Sequence, residues 1–121
     1  MHICIVGFKG SGKSTVFNAL TGQKADAAGE RQEKRLGNIK VPDERFDALV
    51  EFCKPKKKTP AEIILADMAA VSPDKSSKGF SSAMLSEMRA ADALVHVVRA
   101  FDNPALAEAP NPLREIQNLH A

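Results

Sequence analysis

GFKGSGKST, residues 7–15, decides how the rest of this chain is read. Gly7, Gly12, Lys13 and Ser14 satisfy the spacing G-x-x-x-x-G-K-[ST], in which successive backbone N–H groups turn inward to make a concave anion site. Glycine tolerates the φ values such a turn needs. At this spacing Lys13 reaches the β- and γ-phosphates of a nucleotide, and Ser14 offers its hydroxyl to Mg²⁺. Phe8, Lys9, Gly10, Ser11, Gly12, Lys13, Ser14 and Thr15 are the expected nucleotide contacts.

The flanks have the order this loop requires. Ile3-Cys4-Ile5-Val6 is a short, β-branched apolar run of the kind that forms a strand buried on both faces. Thr15 to Gly22 reads as a short helix stopped by glycine, which puts the phosphates at a helix N-terminus.

Composition sets the frame. The chain has 121 residues, net charge +2 and 26% charged residues, which fits at most one soluble globular domain. No apolar run reaches membrane-spanning length and no secretory signal precedes the glycine loop, so a cytoplasmic protein with no membrane contact is expected. Cys4 and Cys53 lack metal-like spacing and read as reduced core thiols. A charge of +2 alone does not imply nucleic acid.

Further along, residues 23–35 hold no large apolar side chain and read as a mobile loop. Leu36 to Val41 alternates weakly, as an edge strand does. Asp43 can cap a helix with Phe46, Leu49, Val50 and Cys53 on one face. Ile63 to Ala66 is a second buried strand, ending in Asp67, and a polar loop occupies 68–80. A helix with Met84, Leu85, Met88 and Ala91 inward precedes a third buried strand, Ala93 to Val98. Residues 113–121 begin an amphipathic helix with Leu113, Ile116 and Leu119 on one face and no stop signal, as in the N-terminal part of a longer protein.

Strands alternating with helices predict a three-layer α/β sandwich on a mainly parallel sheet, with ligands at the carboxyl ends of the strands. Gly7 and Asp67 then meet at one sheet edge. There Asp67 can hold Mg²⁺ with Ser14, or act as a turn-capping aspartate.

The segments GKSTVFNALTG, VPDERFDAL, KPKKKTPAEIILAD, SKG and DALVHVVRAF together resemble the YchF-type branch of the Obg-related P-loop GTPases over most of the chain. The resemblance implies a truncated G domain of the P-loop NTPase fold, a ribosome-associated role, and acceptance of ATP as well as or better than GTP. Nothing in residues 1–121 matches the base-reading N-K-x-D motif.

Departures from the family pattern bear on turnover. Lys9 and Gly10 stand where the family has Pro and an Asn that helps hold a monovalent cation. Residues 22–58 contain no Ser or Thr for the first switch, whose aligned position is Arg31. The family's D-x-x-G is Asp67-Met68-Ala69-Ala70, and Gly79 is what survives of the glycine-rich remainder. Val71 follows, where a water-positioning Gln sits in Ras-like proteins. Slow hydrolysis, or none, is the expectation.

Lys9 either replaces the lost cation or is a solvated lysine. Lys54 to Lys58 is either a solvated loop or a contact to ribosomal RNA. His96 reads as a satisfied core histidine, and His2 and His120 have no partner spacing. Three classes remain open: a nucleotide-dependent switch, a nucleotide-binding module without turnover, and a kinase whose arginine-bearing lid would be drawn from residues 23–35.

Overall fold

The computed structural model describes residues 1–23, 34–69 and 80–120. In chain order the elements are β1 (His2–Val6), α1 (Lys13–Thr21), β2 (Lys34–Lys40), α2 (Glu44–Cys53), β3 (Glu62–Met68), α3 (Ser82–Ala90), β4 (Ala93–His96) and α4 (Pro112–His120). The strands form one sheet in the order β2-β3-β1-β4. β1 pairs parallel with β3 and β4, whereas β2 runs antiparallel to β3. The register Ile5↔Asp67 and Val6↔His96 aligns the carboxyl ends of all three parallel strands.

Side chains alternate between the two faces of a strand, so the apolar run of β1 supplies two cores. Cys4 and Val6 join Ala66 and Met68 on one face, beneath Met84 and Met88 of α3, Ala91 and Leu119 of α4. Ile5 and Leu65 face the other way and bury Phe17 of α1, with Ile3, Ile39, Ile63 and Val97 around them. Helices therefore cover both faces, as the βα alternation predicts. Full burial of Phe17, at 0% exposure, contributes about 1.5–3 kcal/mol.

Helix ends follow the sequence signals. α1 stops at Gly22, in the left-handed conformation with φ 67°. Asp43 accepts a hydrogen bond from the Arg45 backbone N–H, and Ser81 does the same for Met84.

Several expectations need correction. The apolar face of α2 does not enter a core: Phe46 and Val50 are half-buried, whereas Leu49, Phe52 and Cys53 are exposed. Phe46 shares a recess with Lys40, Val41, Lys58 and Pro60, so the helix touches a rim of the sheet. Cys53 is thus a surface thiol, while Cys4 is buried and its pKa is raised mainly by desolvation.

β4 ends at His96 and, among the described strands, pairs on one side only, with Leu94 and Val95 partly exposed. Leu85 is 37% exposed, and on α4 Leu119 packs inward while Leu113 and Ile116 remain exposed. Residues 34 and 35, read as loop, open β2; most of the expected 23–35 loop and of the 68–80 loop lies outside the described residues. Arg31, Ala70, Val71 and Gly79 lie outside them too.

Candidate functional site: the glycine loop and Asp67

The strand β1 delivers the chain into residues 7–12 at the carboxyl edge of the sheet. Gly10 and Gly12 take φ values of 80° and 91°, the left-handed region in which a side chain is disfavoured. The turn is closed by Ser11 N–H donating to the Phe8 carbonyl at 3.2 Å and Val16 N–H to that of Gly12 at 3.0 Å. Gly7 is required by close approach: a Cβ there would lie 2.7 Å from the Val97 carbonyl oxygen.

Lys13 opens α1 and is buried, with its ammonium donating to Asp67 Oδ1 and to the Met68 carbonyl oxygen. The Ser14 hydroxyl donates to the other carboxylate oxygen, Asp67 Oδ2, at 3.3 Å. Asp67, at 4% exposure, is a buried charge that depends on its cationic partners. The expected meeting of loop and carboxylate is therefore present.

The remaining loop residues divide by exposure. Phe8, Gly10 and Gly12 are half-buried and Ser11 is buried, whereas Lys9, Ser14 and Thr15 are exposed. Ser11 Oγ is buried with no hydrogen-bond partner among the described residues.

Ser14 and Asp67 supply hard oxygen donors, one hydroxyl and one carboxylate, on adjacent elements. Mg²⁺ accepts such a set, because it keeps several waters and takes one or two carboxylates plus phosphate oxygens. Among the described residues no group of three or more His, Cys, Asp or Glu side chains offers a cage for a metal. The donor set fits Mg²⁺ held jointly with a phosphate.

Sequence reasoning missed two parts of this region. Arg35 of β2 brings its Nη1 to 3.9 Å from Asp67 Oδ2, a contact set by strand pairing and carrying no motif. The segment after β4 braces the loop: Phe101 lies 3.6 Å from the Cβ position of Gly12, and Leu106 lies 2.7 Å from that of Gly10. Its anchor is Arg99, 5% exposed, whose Nη2 donates to the Glu108 carbonyl at 2.8 Å and whose backbone N–H donates to Glu115 at 3.0 Å.

His96 differs from the satisfied core residue expected. Its Nε2 is buried without a partner among the described residues, and its ring centroid lies 5.9 Å from that of His120. Burial lowers its pKa, as does the neighbouring His120, with Glu115 opposing. His2 contributes its backbone N–H to Asp92. Lys54 to Lys58 are all exposed, and no helix among the described residues is long and apolar enough to cross a membrane.

Residues 2–120 match the model of a family described as 50S ribosome-binding GTPase. The chain belongs to that family. Within it the chain is of the YchF type. It is 35% identical over 130 residues to Obg-like ATPase 1 of Homo sapiens, an alignment covering 99% of this chain and 32% of that protein. Obg-like ATPase 1 of Schizosaccharomyces pombe is 38% identical over 120 residues, covering 95% and 31%. Among solved structures, the Schizosaccharomyces pombe YchF GTPase superposes with a TM-score of 0.64 at 33% identity, over 98% of this chain and 34% of that one. The chain spans about a third of the length of these relatives.

Proposed function

We propose that this chain is the phosphate- and metal-binding part of a G domain that holds Mg²⁺ with ATP or GTP and hydrolyses it slowly. The observation that carries the reading is the convergence of Lys13 and Ser14 on Asp67 at the carboxyl edge of the sheet. Backbone N–H groups of Phe8 to Thr15 form the phosphate cradle, and Lys13 exchanges Asp67 and the Met68 carbonyl for phosphate oxygens. Ser14 and Asp67 hold Mg²⁺, which neutralises charge on the phosphates.

Slow turnover follows from the side chains available. Val71 has no group to orient water, and residues 22–58 contain no hydroxyl side chain for the metal. The family description and the exposed Lys54–Lys58 run support a ribosomal partner reached through RNA phosphates in the cytoplasm. The base-reading residues lie outside residues 1–121 on this reading, so the chain alone leaves ATP and GTP on equal terms.

Calorimetric titration of the protein with ATP and with GTP, in the presence of Mg²⁺, tests this. Lys13→Ala should weaken binding by about 2–3 kcal/mol, or roughly 30- to 150-fold, with the fold checked by circular dichroism. Wild-type protein that binds neither nucleotide would end the proposal.

A further inference from the structure

Asp67 carries more positive charge than the loop lysine brings. The β2–β3 ladder sets Arg35 directly across from Asp67, and the guanidinium lies over the Phe17 ring at 4.7 Å, on the α1 side of the sheet. Its fork is held from two directions, with Nη2 donating to Asn18 Oδ1 at 2.6 Å and Nη1 lying 3.9 Å from Asp67 Oδ2. The two carboxylate oxygens thus have different duties. Lys13 takes Oδ1, while Oδ2 faces both the Ser14 hydroxyl and Arg35.

Oδ2 is the oxygen that a divalent ion beside Ser14 must share. We propose that Arg35 is a resident counter-cation of this site, holding Asp67 Oδ2, weakening divalent-metal binding and leaving triphosphate binding only weakly dependent on Mg²⁺. The inference rests on the nucleotide-binding reading above. Guanidinium does not deprotonate in a protein, so its charge opposes an incoming cation at every working pH. The Asp67 side chain is 5% exposed, and solvent screens the repulsion poorly there. Arg35 cannot swing away freely, because Asn18 and the Phe17 ring fix its plane.

Two measurements on the protein test this: Mn²⁺ binding followed by electron paramagnetic resonance without nucleotide, and fluorescent-nucleotide affinity in EDTA against saturating Mg²⁺. Wild-type affinity for nucleotide should differ by less than about threefold between the two media. Arg35→Gln should bind Mn²⁺ about tenfold more tightly and lose about tenfold in nucleotide affinity when Mg²⁺ is withdrawn. Arg35→Lys, which keeps the charge, should stay near wild type in both. Asn18→Ala, which frees the guanidinium, should tighten Mn²⁺ binding about threefold and serves where Arg35→Gln does not fold. Equal Mn²⁺ affinity in wild type and the variants, or wild-type nucleotide binding that collapses in EDTA, overturns the role of Arg35. Wild type that binds no nucleotide in either medium overturns the nucleotide-binding reading instead, while the Mn²⁺ series still reports on Arg35.

Discussion

A methyl group at position 37 would sit 2.3 Å from Thr21 Cγ2, 3.0 Å from Thr21 Cβ and 3.1 Å from Phe17 Cζ. β2 approaches the end of α1 so closely that Gly37 is a contact surface in its own right. Gly37→Ala should therefore cost about 1–3 kcal/mol in urea unfolding. Thr21→Ser removes the offending Cγ2 while keeping the hydroxyl that donates to the Phe17 carbonyl, so it should return part of the loss in the double variant. Strictly additive effects would mean that the clash lies elsewhere. Single residues differ in how far the sequence discloses them. Gly7, Gly12, Lys13 and Ser14 are legible because their spacing is that of a phosphate-binding loop, and the structure brings Lys13 and Ser14 to Asp67. Gly37 and Arg35 carry no such signal. Their roles exist only once the register Arg35↔Asp67 and the approach of α1 are fixed.

Elements show the same divide between local pattern and tertiary setting. β1 and β3 were readable because both of their faces are covered, and a continuous apolar run admits little else. β4 has the same apolar appearance but comes last in the order of the described strands, with Leu94 and Val95 partly exposed. α2 has a regular apolar face, yet it packs at a rim, where periodicity alone says nothing of depth. The contact of β4 with α4 supplies a pH dependence. His96 is held below its ordinary pKa of 6.5 by burial and by His120 of α4, while Glu115 pulls the other way. Between its folded pKa and 6.5 the unfolded chain binds more protons at this residue than the folded chain. Stability from His96 is thus present above 6.5 and lost as pH falls through the folded value. Unfolding midpoints in urea should drop on acidification from about pH 7.5 to about pH 5.5, and His96→Phe should flatten that part of the profile. An unchanged slope in the variant would place the acid sensitivity at other groups.

At the scale of the molecule, the glycine loop is where separate parts of the fold are tied together. Lys13 links the start of α1 to β3, Arg35 links β2 to the same carboxylate, and Phe101 and Leu106 lean on the loop from beyond β4. A ligand on this loop therefore binds a surface that exists only when all of these elements are assembled. Binding to the native state alone raises stability by mass action, by about 2.7 kcal/mol at a nucleotide concentration of 100 times Kd. The gain should be global, because no single element carries the site. Hydrogen exchange with and without nucleotide should slow together at amides of α1, of β3 and of residues 101–106. Lys13→Ala should forfeit the gain in all three. Protection confined to α1 would show the loop acting as a local binding element, with the segment after β4 serving only to cover it.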